Sequence, residues 1–405
     1  MQILTLNTGS SSLKFALYEM PRGHSAEAGA SDFSHERVRH GSIQGIGGAH
    51  GSVRVSNSGG DERTIELQIA DREAALRWLM AELDREGIWK ELKAVGHRFV
   101  HGGLAFRQPV LITREVRDAI EKLVPLAPAH LPGELAALDM IARASPSLPQ
   151  VACFDTTFHA DLPREARLFG IPRRLAEAGV VRYGFHGLSY EYVTHALRER
   201  GQLGARTVVA HLGNGASMAA IANGKCVDTS MGFTPSGGFV MSTRSGDIDP
   251  GVLLYLLEER KMSVDEVDAL VRSAGGLLGL SGTASDMRDL LAREATDGRA
   301  ADAVAVFCYQ IRKFLGAYIA VLCGLDTLVF TGGIGENAAE IRARICASLD
   351  CFGIQLDAEA NAAGEPIISR DGAPVTVRVI RTDEESVIAR HTLRILRESA
   401  GADHD

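Results

Sequence analysis

Two similar α/β domains are the fold that this sequence predicts, and three observations predict it. The chain has 405 residues, more than one hydrophobic core normally organises. Short apolar runs with strand character alternate with segments whose apolar residues recur at helical spacing. One pattern of strand, small-residue loop and returning strand occurs twice, as ILTLNTGSSSLKFAL at 3–17 and VVAHLGNGASMAAI at 208–221. A duplication about 200 residues apart implies two similar domains facing each other, each offering one phosphate-binding turn to a shared cleft.

Apolar residues make up 45% of the chain and charged residues 23%, the composition of a soluble globular protein with ample core. The formal net charge of −8 argues against nucleic acid as a main partner. Cys153, Cys226, Cys308, Cys323, Cys346 and Cys351 form no CxxC pair and lie mostly in apolar surroundings, so reduced core thiols are expected rather than disulfides or a zinc site. No basic-then-apolar segment opens the chain, and it holds no run of about 18 apolar residues. A cytoplasmic protein without a membrane anchor is the expectation.

In the first hairpin Gly9 permits positive φ, Ser10, Ser11 and Ser12 offer hydroxyls, and the loop's backbone N–H groups make a concavity for phosphate oxygens. Lys14 adds a point charge there. An ordinary Ser/Gly hairpin is the plain alternative; recurrence of the pattern favours the phosphate reading. The segment 21–63 reads as surface strands and loops added to the first domain, and its His24, His35, His40 and His50 lack metal-ligand spacing. Over 71–85, Ala75, Leu76, Leu79, Met80 and Leu83 follow helical spacing, and Gly87 stops the helix. KAVGHRFVHGG at 93–103 is a strand running into a polar turn, which makes Arg98 either a surface arginine or a bidentate anion holder. A Pro-punctuated loop over 125–132 holds His130. VACFDTTFH at 151–159 is a buried strand ending in Asp155, a site residue at a strand end or a cap.

RYGFHG at 182–187 packs an arginine, two aromatics and His186 around glycines. The loop of the second hairpin is His211, Leu212, Gly213, Asn214 and Gly215, and Asn223-Gly224 turns the chain again. The segment 228–250, with Arg244, Asp247 and Asp249, is rich in Gly, Ser and Thr and reads as cleft lining more readily than as core. A helix begins near Asp286, and Val304, Phe307, Ile311, Phe314, Leu315, Tyr318, Ile319 and Leu322 trace the buried face of another that Gly324 ends. LDTLVFTGGIGEN at 325–337 is a strand ending in a glycine loop, open to close approach by a ligand, with Asn337 and Glu340 spaced as a capping box for the next helix. A strand over 375–380 leads to Asp383, Glu384 and Glu385, which are either a solvated helix start or a source of magnesium ligands. A helix from 386 to about 398 follows.

Taken in order, NTGSSSLK, GHRFVHGG, FDTTFH, RYGFHG, HLGNGAS, TRSGDIDP, SDMRD, GGIGEN and TDEE resemble the motifs of the acetokinase family, the acetate, propionate and butyrate kinases. That family belongs to a superfamily with sugar kinases, actin and the heat-shock ATPases. The resemblance implies two duplicated actin-like ATPase (ribonuclease H-like) domains with a cleft between them, over 1–155 and 156–385, with the terminal helix 386–405 packing back on the first. It implies transfer of a phosphoryl group from ATP to a short-chain carboxylate, acetate or propionate, giving ADP and an acyl phosphate, with Mg²⁺ or alternatively Mn²⁺. It also implies a homodimer. By their matches, Asn7 and Glu384 are the magnesium positions and Lys14 a nucleotide contact. Arg98, Val100, Phe185 and Pro235 bind the acyl substrate. Asp155, His186 and Arg244 are catalytic. His211 to Gly215, then Asp286, Met287 and Arg288, then Gly333, Ile334, Gly335, Glu336 and Asn337, are the ATP-binding stretches.

The chemistry suits these residue types. Phosphoryl transfer passes through a loose transition state with charge on three equatorial oxygens, so positioning and electrostatics dominate. The nucleophile is a carboxylate with a pKa of about 4 to 5 and is already ionised at neutral pH. Asp155 is therefore expected to orient Arg98, Arg244 or a magnesium-bound water rather than act as a base. Two departures from the family pattern stand out. LAPAHLP replaces the common LAPLHNP, putting Ala129 where a pocket leucine is usual, and TPSGGF replaces TPLEGL, with Ser236 and Gly237 for the bulkier pair. Loss of the leucine is worth about three methylenes at roughly 0.8 kcal/mol each, enough to tilt preference toward propionate. A competing reading from another class, an actin-like nucleotide switch without acyl substrate, gives no reason for Arg98, His186 and Arg244 together.

Overall fold

The computed structural model describes residues 1–9, 12–20, 36–48 and 50–402. The chain divides into two units, Met1–Thr157 with Asp383–Asp405, and Phe158–Thr382. The first unit grows from the opening hairpin, in which β1 (Gln2–Thr8) and β2 (Ser12–Glu19) pair antiparallel with Asn7 opposite Lys14. Ser10 and Ser11 lie outside the described residues, as does 21–35 with His24 and His35. The rest of the 21–63 stretch extends the sheet, with β3 (Glu36–Gln44) and β4 (Ser52–Asn57) followed by β5 (Glu62–Glu66). Its inward residues Ile43, Val53 and Val55 are core, so these strands are more than surface additions.

On the other side of β1 come β6 (Leu92–Phe99), β7 (Val110–Leu111) and β8 (Gln150–Phe154). The sheet order is β5-β4-β3-β2-β1-β6-β8-β7, with β1, β6 and β8 parallel. Alternation along β1 feeds two layers. Leu4 and Leu6 pack with Leu76, Leu79 and Leu83 of the helix Arg72–Arg85 and with Ala137, Met140 and Ile141 of the helix Leu131–Ala144. Ile3 faces Ala389 of the terminal helix Glu384–Ala402, which begins two residues before the sequence expectation. That helix lies so close to β6 that a Cβ at Gly96 would sit 2.3 Å from Thr392 Oγ1 and 2.6 Å from Ile388 Cγ2. Only glycine admits this approach.

The second unit repeats the plan. β9 (Arg206–Leu212), β10 (Ala216–Ala222), β11 (Lys225–Thr229), β12 (Thr327–Thr331) and β13 (Thr376–Val379) are ordered β11-β10-β9-β12-β13. Reading β3-β2-β1-β6-β8 beside it gives the same succession of two antiparallel and two parallel pairings. The duplication legible in the two hairpins thus extends to whole sheets. Tyr190, Val193 and Leu197 of the helix Gly187–Glu199 cover Val209, Ala219, Ile221 and Val329. The helix Gly298–Val321 is long and apolar enough to cross a membrane by length and composition alone, but Phe307, Ile311 and Leu315 are buried in its unit. The segment 230–249 has no regular element, as expected, yet Met231, Phe239 and Met241 within it are core, against the expectation of lining rather than core. Four cysteines are buried, while Cys323 and Cys351 are exposed.

Each unit also buries a neutral histidine. His97 bonds Gln150 Oε1 at 2.8 Å and His159 bonds the Phe185 carbonyl at 3.0 Å. Burial outweighs these bonds and lowers both to about 4. The unfolded chain takes up protons near the ordinary value of 6.5 while the native units do not. Stability is therefore expected to fall as pH drops from about 6.5 toward 4, by up to ~1.4 kcal/mol per pH unit per histidine. Urea unfolding across that interval, with His97→Gln flattening the response of its own unit, measures this.

Candidate active site

Parallel pairing positions the candidate residues of the first unit. Arg98 lies opposite Cys153 and Phe99 opposite Phe154, so the residue after β8 emerges beside Arg98. That residue is Asp155, whose backbone N–H donates to the Phe99 carbonyl at 2.9 Å. Arg98 Nε donates to both Asp155 oxygens at 3.1 Å and Nη2 to Oδ2 at 2.5 Å. Asp155 is 1% exposed and the Arg98 side chain 13%. Burial pulls the Arg98 pKa down, but the Asp155 carboxylate outweighs it and holds the guanidinium firmly charged. Asp155 therefore orients Arg98, one of the roles expected of it.

A second group at this point escaped sequence reasoning. Glu134 accepts the backbone N–H of Val100 at 3.1 Å and is 2% exposed. The signal was present, since Leu131, Glu134, Leu135 and Leu138 fall at i, i+3, i+4 and i+7, placing a carboxyl on the buried stripe of a helix. Ala129, just before that helix, is exposed and not part of a buried lining.

The acidic start of the terminal helix is not merely solvated. Asn7 Nδ2 donates to Glu384 Oε2 at 2.8 Å and to Glu385 Oε1 at 3.4 Å. Asp383 accepts from Tyr18, Arg37 and the Ser386 N–H. Burial, opposed by Lys14 and reinforced by Glu384 and Asp383, raises the Glu385 pKa. Lys14 itself is exposed. Among the described residues no three His, Cys, Asp or Glu side chains are grouped to hold a metal alone. An amide oxygen beside a carboxylate suits Mg²⁺, which takes one or two protein oxygens and completes its shell with phosphate and water.

In the second unit β9 runs on through His211 and Leu212, so only Gly213, Asn214 and Gly215 of the expected loop turn the chain into β10. His186 adopts φ 58° at the start of its helix, a left-handed backbone uncommon for a non-glycine residue. Its ring stacks on His211 with centroids 4.3 Å apart. His186 Nδ1 meets Ser217 Oγ at 2.8 Å, Ser217 bonds the Tyr190 hydroxyl, and His211 Nδ1 meets Ser189 Oγ at 2.8 Å. A Cβ at Gly215 would lie 3.2 Å from Arg244 Nη1 and 3.3 Å from His186 Nε2, so both groups converge over this glycine. Arg244 is steadied by the Pro235 carbonyl at 3.0 Å, and Asn214 by Ser242. Phe185 is buried and Pro235 half-buried.

The glycine stretch after β12 is a short helix, Gly332–Asn337, and not the loop expected. Gly332, at φ 77°, packs on Leu212, where a Cβ would meet the carbonyl at 2.7 Å. Glu336 accepts the Gly332 N–H at 2.9 Å and the Thr382 N–H at 3.2 Å. The expected capping box does not form. Asn337 instead donates back to the Gly333 carbonyl at 2.8 Å, Ala338 occupies the cap of the next helix, and Glu340 pairs with Arg344. Gly333 is exposed with open space around it, while Ile334 is half-buried and Gly335 buried. Beneath, Arg342 donates to the Gly335 and Glu336 carbonyls at 2.9 Å. Asp286 caps the helix Met287–Arg293 through the Arg288 N–H and pairs with the Arg288 side chain; Met287 is buried.

A family model for the Acetokinase family matches residues 2–390. The chain belongs to the acetokinase family. As an acetokinase it is a kinase whose phosphoryl acceptor is a carboxyl group. The acetate kinase of Methylocella silvestris is 43% identical to it over 99% of each chain. The crystal structure of Porphyromonas gingivalis acetate kinase matches with a TM-score of 0.84 at 37% identity, covering 98% of this chain and 99% of that one. A propionate kinase from Francisella tularensis gives 0.87 at 35%, covering 96% and 98%. With the repeated sheets, these likenesses bear out the two-domain actin-like fold expected of an acetokinase.

Proposed function

We propose that this acetokinase reversibly transfers the γ-phosphoryl group of ATP to acetate, giving acetyl phosphate and ADP, with Mg²⁺ carried by Asn7 and Glu384. The observation that carries the reading is Arg98 clamped by a buried Asp155 at the ends of two parallel strands. A guanidinium so fixed keeps donors for a second carboxylate, that of the substrate. The acetate oxygen is ionised at neutral pH and needs no base. Asp155, already engaged by Arg98, fixes the acceptor's seat.

His186 and Arg244 take the charge on the migrating phosphoryl group. In the arrangement that suits this role the Tyr190 hydroxyl donates to Ser217 and Ser217 to Nδ1, so that His186 presents Nε2–H toward the space over Gly215. Exposed Gly333 lets nucleotide approach the backbone, and residues 211–215 and 286–288 complete the ATP site. Mg²⁺, when bound with ATP, neutralises phosphate charge; Mn²⁺ has the same hard-oxygen preference. The net charge of −8 and the family resemblance favour a cytoplasmic homodimer that engages neither nucleic acid nor membrane, which sedimentation and fractionation test. Incubating the protein with ATP, Mg²⁺ and acetate and trapping acyl phosphate with hydroxylamine tests the activity. ATP consumption indifferent to any short carboxylate overturns it.

Ala129 is not part of a buried lining, so it sets no wall of its own against a longer acyl chain. It is exposed and carries a single methyl where the family commonly has leucine. Appreciable propionate turnover is expected, with kcat/KM for acetate exceeding that for propionate by less than about a hundredfold. A series from formate to butyrate measures this.

A further inference from the structure

Glu134 is absent from the reaction as drawn so far, yet it is one of the most enclosed carboxyl groups in the protein. Its Oε2 accepts the Val100 N–H, and its Oε1 has no hydrogen-bond partner among the described residues. The charged groups facing it are Arg98 from β6, Asp155 following β8, and Arg72 from the helix Arg72–Arg85. The first of these is committed to Asp155 by three hydrogen bonds. Arg72 reaches toward the Ala129 carbonyl at 3.4 Å and lies against Gly133. If Glu134 were ionised, two buried carboxylates would share the charge of Arg98 before any substrate carboxylate arrived. If it is a neutral acid, the Arg98–Asp155 pair is balanced and an incoming anion meets no uncompensated negative charge.

We propose that Glu134 is a positioning residue of the acceptor site: as a neutral acid it anchors the Val100 backbone and keeps Arg98 available to the substrate carboxylate, and its ionisation weakens carboxylate binding. The inference rests on Arg98 being the carboxylate-binding group. Burial agrees with it, pushing Glu134 up to about 8 against the opposing pull of Arg98 and the Val100 N–H.

The test is KM for acetate between pH 7 and 9 in the full-length wild type, Glu134→Gln, Glu134→Met and Arg98→Ala. If only the acid form binds well, wild-type KM rises about tenfold over that interval, whereas KM for ATP does not follow it. Both Glu134 variants, which cannot ionise, are expected to hold acetate KM flat while their kcat varies with pH as the wild type's does. A merely structural glutamate would shift stability without flattening that profile. A wild-type acetate KM that stays level, or one that climbs equally in the Gln and Met variants, overturns the inference and leaves the role of Arg98 standing. An Arg98→Ala enzyme with ordinary acetate KM overturns the underlying reading instead. Should both Glu134 variants misfold, infrared spectra of ¹³C-glutamate-labelled wild type decide. A protonated-carboxyl band present at pH 7 and fading toward pH 9 supports the inference, and its absence at pH 7 refutes it.

Discussion

Asp155→Asn is expected to lower kcat/KM for acetate by on the order of 10²–10³, with no acid limb lost from the pH profile of the residual activity. The carboxylate accepts three hydrogen bonds from Arg98 and is 1% exposed. A carboxamide keeps one acceptor oxygen and none of the charge, so the guanidinium is left buried with half a partner. Breaking a buried pair from one side costs about 3–5 kcal/mol, and each 1.36 kcal/mol that reaches the transition state is a factor of ten in rate. The loss should appear in KM for acetate as well as kcat, because Arg98 loses its orientation, while KM for ATP changes little. The hydroxamate assay run across pH separates this from general-base catalysis. A base would carry its own ionisation into the profile, and its removal would shift or abolish the acid limb. An acceptor that is already ionised gives no such limb to lose.

The pairing behind this prediction was half legible. Two apolar runs ending in Arg98 and Asp155 could be read as strands, and strand ends as site positions. That they touch follows from β6 and β8 being parallel neighbours in register, a long-range fact that no local pattern encodes. Glu134 shows the converse: the helical stripe containing it was readable, but its proline-rich entry drew attention to a loop. The capping box at Asn337 and Glu340 failed because a local motif lost to tertiary competition. Glu336 satisfies the Gly332 N–H, so the chain enters a helix at once, and the Asn337 carboxamide turns back to Gly333. In 230–249, Phe239 and Met241 gave no signal because an irregular backbone imposes no period on its buried residues. The repeated hairpins were plain in sequence because each sets a run of small residues between two apolar strands.

Arg342→Met is expected to raise KM for ATP at least tenfold and to destabilise the second unit by about 3 kcal/mol or more, with KM for acetate within about twofold of wild type. Arg342 is 1% exposed, and the partners of its guanidinium are all uncharged oxygens. Nη1 bonds the carbonyls of Gly335 and Glu336, Nε the Asn361 side chain at 2.8 Å and Nη2 the Asn361 carbonyl at 2.7 Å. Burial lowers its pKa without a carboxylate to offset it. A buried cation satisfied only by carbonyls is a costly way to hold structure, and what it holds is the end of the helix Gly332–Asn337, whose exposed Gly333 is the nucleotide contact proposed above. Methionine replaces the aliphatic stem of the side chain but leaves the carbonyls of Gly335 and Glu336 buried without their donor, each at about 1–3 kcal/mol. Arg342→Lys keeps the charge and loses the fork, and should fall between the two. Thermal unfolding and nucleotide titration of both variants read the two effects separately. A lowered Tm with unchanged ATP KM would mean that Arg342 braces the fold and not the nucleotide site.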